Sequence, residues 1–141
     1  MDEHRHILVV DDDERVLFIL RRTLVRLGDE HKIVTAQNGQ EALEKVKQTF
    51  FDVVITDLVM PGTDGVALTE ALRAQSPDTI VIWVTAYGCH RFNSEAARLS
   101  VYECLEKPLR VADIREAVRK ALVQSDLGRQ RNSNVINSAH Q

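Results

Sequence analysis

Residues 51–62 read Phe-Asp-Val-Val-Ile-Thr-Asp-Leu-Val-Met-Pro-Gly, and this stretch decides the fold. Its first half is rich in β-branched residues, which is typical of a strand buried on both faces of a parallel sheet. The strand ends at Asp57, and Pro61 and Gly62 then predict a loop. A carboxylate at the exit of a buried strand is costly unless a partner binds it. Asp57 is therefore the first candidate functional residue.

Four further short apolar runs predict strands of the same kind, at 7–10, 32–36, 79–84 and 101–105. Amphipathic patterns predict a helix after each of the five strands, the last over about 110–124. This alternation indicates an α/β fold with a five-stranded parallel sheet between two layers of helices. We expect one domain over residues 1–124. From 125 to 141 the sequence becomes polar and predicts a disordered tail or the start of a linker.

The composition is that of an ordinary soluble globular chain, with 44% apolar and 28% charged residues. A net charge of −3 argues against nucleic-acid binding through bulk charge. The polar start and the lack of a long apolar run predict neither a signal peptide nor a membrane span. Cys89 and Cys104 match no metal or redox spacing, so we expect a reducing, cytoplasmic protein. Cys104 is interpreted as a small buried hydrophobe rather than a reactive thiol.

Polar side chains follow four of the predicted strands. In a doubly wound sheet, ligands bind beyond the carboxyl ends of the strands, so these side chains are expected to meet. The list is Asp11 and Asp12 after strand one, Asp57 after strand three, Thr85 after strand four and Lys107 after strand five.

This cluster of acids predicts a cation site. At about 4 Å, each carboxylate pair repels by about 4 kcal/mol at an effective dielectric of about 20. Hard oxygen ligands favour Mg²⁺, Mn²⁺ or Ca²⁺ over Zn²⁺. Thr85 and Lys107 would complete a phosphate-binding cradle, with Asp57 as a nucleophile that accepts a phosphoryl group.

Four motifs, each at a predicted strand exit, resemble the receiver domain of two-component response regulators. They are Leu-Val-Val-Asp-Asp-Asp-Glu at 8–14, Asp-Leu-Val-Met-Pro-Gly-Thr-Asp-Gly at 57–65, Thr-Ala-Tyr-Gly at 85–88 and Glu-Lys-Pro-Leu at 106–109. The resemblance covers about residues 5–124. It implies a flavodoxin-like fold with strand order 2-1-3-4-5, and phosphorylation of Asp57 by a sensor histidine kinase or a phosphotransfer domain.

The resemblance also assigns roles within the site. Mg²⁺, for which Mn²⁺ could substitute, would be held by Asp12, Asp57 and the backbone carbonyl of Val59, with Asp11 assisting. Thr85 and Lys107 would bind the phosphoryl oxygens, and the Lys107–Pro108 peptide bond would be cis.

One position departs from the family pattern. The family places an aromatic residue three positions before the lysine, where it changes rotamer on phosphorylation, but this chain has Cys104 there. We hypothesise that Tyr102 takes over the switch and is coupled to Thr85. The resemblance implies that phosphorylation changes the face formed by helix 4, strand 5 and helix 5. The partner of that face would be an output domain or protein, with a phosphorylation-dependent dimer as a further possibility. No membrane contact and no direct nucleic-acid binding by this domain are expected.

Two other classes of function compete with the phosphoacceptor, which is not itself an enzyme. A phosphohydrolase of the haloacid-dehalogenase type also uses an aspartate at a strand end, with Mg²⁺, a hydroxyl and a lysine. The motif of that family has threonine or valine at the position where this chain has Arg15. A pseudo-receiver that acts only as a docking module would not need the complete set of site residues.

Overall fold

The computed structural model describes residues 4–28 and 30–139, with side chains throughout except at Thr63 and at 129–139. Within this part of the chain, five sheet strands alternate with five helices. Strands β1–β5 span Arg5–Val10, His31–Ala36, Val53–Asp57, Ile80–Thr85 and Glu103–Glu106. Helices α1–α5 span Glu14–Val25, Gly39–Gln48, Gly65–Gln75, Asn93–Arg98 and Val111–Ala139. A 3-10 turn, Cys89–Phe92, precedes α4.

The five strands form one parallel sheet in the order β2-β1-β3-β4-β5, so the predicted flavodoxin-like fold class and strand order are confirmed. The register aligns the carboxyl ends of the strands: Asp57 lies opposite Val84, and Thr85 lies opposite Glu106. After β3 the chain makes a short antiparallel hairpin, Val59–Met60 with Thr63–Asp64, before α3 begins. The strand exits that carry the predicted site residues are therefore neighbours.

Both faces of the sheet are covered by helices, which explains the continuous apolar runs in its strands. Alternate residues of β1 point to opposite sides: Ile7 and Val9 pack with α1 and α5, whereas Leu8 and Val10 pack with α2 and α3. Trp83 of β4 is fully buried on the second side. The central strands are packed on both faces, and the site lies at their carboxyl ends.

The first three helices begin at side-chain caps. Asp13 accepts a hydrogen bond from the Arg15 amide, and Asn38 accepts one from the Glu41 amide. Asp64 does the same for Val66 at the start of α3. Such caps satisfy amides that have no partner in the first turn. Asp13 is therefore the helix-start residue of the acidic run that follows β1.

The last helix is longer than predicted. It continues to Ala139, so the end expected at 124 is wrong, whereas residues 140–141 lie outside the described residues. Its continuation makes contacts with the sheet: the buried Ser125 hydroxyl donates to Asp52 (3.1 Å), and Asp126 pairs with Arg5. The paired residues are 73 and 121 positions apart in the sequence, so no local sequence pattern predicts these contacts. Whether the segment from 125 onward is a linker remains a prediction.

A buried hydrogen bond between α3 and β4 gives a first testable prediction. Thr69 Oγ1 accepts from the Trp83 indole N–H (2.8 Å) and donates to the Gly65 carbonyl (2.7 Å), and both side chains are inaccessible to solvent. Thr69→Val keeps the shape but leaves the indole N–H unsatisfied. We expect the free energy of unfolding to fall by about 2 kcal/mol, measured by urea denaturation. Thr35→Val, at a half-buried position of β2, is the matched control and should change it by less than about 0.5 kcal/mol. Equal losses in both variants would contradict the role of this bond.

Candidate functional site

Three carboxylates meet at the carboxyl end of the sheet. Asp57 is the last residue of β3, and Asp11 follows β1 directly; they are 6% and 2% exposed. Asp12 is exposed to solvent beside them. One oxygen from each of the three lies within 4.8 Å of the others. The site thus concentrates negative charge where two of its members have little water to screen them.

Lys107 brings positive charge to this cluster from the end of β5. Its Nζ donates to Asp11 Oδ2 and to Asp57 Oδ2, each at 3.0 Å. Burial raises the pKa of Asp11, and the hydrogen bonds from the Asp13 amide and Lys107 offset only part of that rise. Burial lowers the pKa of Lys107, but its bonds to Asp11 and Asp57 outweigh this effect, so its pKa is raised overall. Lys107 is thus held in its charged form.

Backbone amides orient the two buried acids. The Val59 N–H donates to Asp57 Oδ1 (3.1 Å), and the Asp13 N–H donates to Asp11 Oδ1 (2.9 Å). In each case the other oxygen faces Lys107. Each carboxylate is therefore oriented by a backbone amide of the turn that follows its strand and by the Lys107 ammonium group.

Thr85 lies at the same edge of the sheet. It ends β4 one residue beyond Val84, which is in register with Asp57, and its side chain is fully buried. Its hydroxyl oxygen accepts a hydrogen bond from the Tyr87 amide (3.0 Å), while its carbonyl accepts one from the Lys107 amide (2.8 Å). The loop after β4 and the end of β5 are thus joined through this threonine. The Lys107–Pro108 peptide is cis, as the resemblance implied.

The donor set fits Mg²⁺. Three carboxylates face one lysine, which leaves the cluster with an excess of two negative charges when all are ionised. Oxygen donors in this number suit a hard divalent cation that keeps several waters. Asp11, Asp12 and Asp57 are the residues that could hold it. When bound, such an ion neutralises charge on phosphate oxygens.

The structure corrects the interpretation of the two cysteines. Cys89 and Cys104 form a disulfide, with their Cα atoms 5.9 Å apart, so Cys104 is not simply a small hydrophobe. Their separation of 15 residues in the sequence does not predict a disulfide, because the two cysteines come together only when β5 pairs with β4. Strand adjacency was the available signal: Cys104 pairs with Trp83, and Cys89 lies in the turn that follows β4. Tyr102, the hypothesised switch residue, lies just before β5 and is 39% exposed.

Comparison with known proteins finds relatives over most of the chain. The family model of the response regulator receiver domain matches residues 7–119. The transcriptional regulatory protein ZraR of Escherichia coli K12 is 34% identical over 84% of this chain but only 26% of its own length. The C4-dicarboxylate transport transcriptional regulatory protein DctD of Pseudomonas aeruginosa is 32% identical over 86% of this chain and 26% of its length. The chain thus spans about a quarter of these curated relatives.

A solved structure of a relative has a similar fold. The response regulator protein TrrA from Thermotoga maritima, in complex with Mg²⁺ and BeF, superimposes with a TM-score of 0.74 and 32% identity. The match covers 83% of this chain and 98% of that one.

None of the helices in the described part of the chain is long and apolar enough to cross a membrane.

Proposed function

This chain belongs to the response regulator receiver domain family, and from that premise we propose that Asp57 accepts a phosphoryl group from a sensor histidine kinase or a phosphotransfer domain. One observation carries the proposal. Lys107 reaches across from β5 to contact Asp57 and Asp11 at 3.0 Å, so a nucleophilic carboxylate and a cation for phosphoryl oxygens lie together. A buried carboxylate with this neighbour is poised for phosphoryl chemistry.

The transfer step follows from the arrangement. An oxygen of Asp57 forms a bond to phosphorus while the bond from phosphorus to the donor imidazole nitrogen breaks. That nitrogen keeps the electron pair and takes up a proton, and the product is an aspartyl phosphate. Lys107 lies where charge builds up on the phosphoryl oxygens. The Thr85 hydroxyl becomes a second contact once it turns away from the Tyr87 amide.

Mg²⁺ is the proposed cofactor, with Mn²⁺ able to substitute. Asp11, Asp12 and Asp57 supply side-chain oxygens, and the Val59 carbonyl is the proposed backbone ligand. The clustering of three carboxylates supports this, as does the Mg²⁺ named with TrrA, a relative of the same fold. The location we propose is the cytoplasm, where a histidine kinase domain and Mg²⁺ are available.

The output of the switch is proposed to pass through α4, β5 and α5. Thr85 responds to the phosphoryl group, and Tyr102, being partly exposed, is the side chain that changes position in place of the aromatic residue missing at Cys104. The partner is an output domain or protein, as the relatives that extend far beyond this match suggest, with a phosphorylation-dependent dimer as one form of output. Receiver domains are generally phosphoacceptors without an enzymatic role, and we propose the same here.

The test is incubation of the purified chain with acetyl phosphate, with Mg²⁺ or with EDTA, followed by intact-mass measurement. We expect one phosphoryl group per chain with Mg²⁺ and none with EDTA. Hydroxylamine should remove it, because it cleaves acyl phosphates and leaves serine or threonine esters intact.

Other outcomes identify the alternative functions. Steady turnover of p-nitrophenyl phosphate at many cycles per chain would instead make this a phosphohydrolase. If neither acetyl phosphate nor a phosphorylated histidine kinase gives an adduct, the chain is a module that acts only by docking.

A further inference from the structure

The disulfide between Cys89 and Cys104 lies beside the site but takes no part in the proposed phosphoryl transfer. Cys89 begins the 3-10 turn after β4, and Cys104 is the second residue of β5, three positions before Lys107. Both are partly exposed, so reagents can reach them. We propose that these two residues are a reversible redox modification site, whose disulfide form holds the loop 85–89 in place and thereby limits phosphorylation and switching. The control over phosphorylation rests on the proposed function above.

The loop 85–89 is attached to β5 at both of its ends. At its start, the Thr85 carbonyl accepts from the Lys107 amide (2.8 Å), within the pairing of β4 with β5. At its end, Cys89 is linked covalently to Cys104, and its amide donates to Glu106 Oε1 (2.9 Å). Only Ala86, Tyr87 and Gly88 lie between these attachments. A segment so short and closed at both ends has little room to rearrange.

In the disulfide form, the Thr85 hydroxyl already has a hydrogen-bond partner within the restrained loop. Its hydroxyl accepts from the Tyr87 amide, in the middle of the closed loop. For the hydroxyl to turn toward a phosphoryl group on Asp57, the backbone at Tyr87 must give up that bond. In the dithiol form the bond to Glu106 still attaches the end of the loop to β5, but the Glu106 side chain is exposed, so water competes for this bond. Reduction therefore frees the movement that phosphorylation needs.

The redox step balances with a small thiol or disulfide as co-reactant. In reduction, two molecules of a small thiol give up two protons and two electrons and become joined by a new sulfur–sulfur bond. The Cys89–Cys104 bond breaks, and each cysteine receives one proton and one electron. Oxidation is the reverse, with a small disulfide such as glutathione disulfide accepting the electrons.

The experiment compares the full chain after equilibration with reduced or oxidised glutathione. Alkylation and intact-mass measurement count free thiols, which should be two in the reduced form and none in the oxidised form. Amide hydrogen exchange then follows Tyr87 and Cys89, whose amides bond to Thr85 and Glu106. We expect both amides to exchange at least about tenfold faster in the dithiol form, because the closed loop loses its covalent constraint. Initial phosphoryl uptake from acetyl phosphate should rise on reduction by about threefold or more.

Variants separate the disulfide from side effects of the reductant. Cys89→Ser and Cys104→Ala should each behave like the reduced wild type under both conditions, and using one variant at each position guards against a folding defect in either. Two free thiols after oxidation, or equal exchange rates in the two forms, would overturn the redox site. Uptake that is the same in both forms would overturn its control of phosphorylation. If neither form takes up a phosphoryl group, the proposed function fails, whereas thiol counts and exchange rates still decide the redox site.

Discussion

Asp57→Asn is expected to abolish phosphoryl uptake completely while leaving the fold intact. Asparagine has the same shape, and its carbonyl oxygen can still accept the Val59 amide, but its amide nitrogen cannot act as a nucleophile. Two opposed effects on stability accompany the change. A bond to Lys107 is lost, and repulsion with Asp11 and Asp12 is relieved. We therefore expect the unfolding midpoint to stay close to that of the wild type.

The measurement is intact mass after treatment with acetyl phosphate and Mg²⁺, together with a thermal unfolding curve. Asp13→Asn is the matched control, because the Asp13 side chain caps α1, asparagine caps a helix as well as aspartate does, and the Asp13 backbone amide that donates to Asp11 is retained. It should take up the phosphoryl group like the wild type. If Asp57→Asn still forms a hydroxylamine-labile adduct, the phosphoryl acceptor is Asp11 or Asp12 and not Asp57.

The fold and most of the site could be predicted from the sequence because their signals are local. Each strand is a short apolar run followed at once by polar residues, and the alternation with helices leaves few topologies. The rule that parallel strands present their carboxyl ends at one edge then places Asp11, Asp57 and Lys107 together, as observed. No contact between distant residues had to be known in advance.

What could not be predicted depends on contacts between distant parts of the chain. The length of α5 is one case, since Ser125 and Asp126 of its polar continuation contact Asp52, just before β3, and Arg5 of β1. The disulfide is another, because it requires the adjacency of β4 and β5 and the course of the intervening turn. Both are tertiary features that periodicity does not encode.

The role of Gly65 is a third such feature, and it leads to a prediction of large effect on stability. The sequence marks Gly65 only as the start of a helix, but a Cβ there would lie 2.4 Å from the Asp57 carbonyl oxygen and 2.6 Å from Leu58 Cα. These are backbone atoms, which cannot rotate away as a side chain would. The Gly65 amide also donates to the Leu58 carbonyl (2.8 Å). The start of α3 therefore packs directly on the exit of β3.

Gly65→Ala should lower the free energy of unfolding by about 3 kcal/mol, since relief of the overlap requires the backbone of α3 or of β3 to shift. The same shift moves Asp57 relative to Lys107, so phosphoryl uptake should fall as well, even at temperatures where the variant is folded. Urea denaturation and intact mass measure the two effects. Gly128→Ala is the matched control: a Cβ there meets no atom within 4 Å, and alanine favours helix by about 1 kcal/mol, so this variant should be slightly more stable than the wild type. A Gly65→Ala variant as stable as the wild type would mean that β3 and α3 can separate without cost. The close packing would then not be what holds the acceptor aspartate at the strand exit.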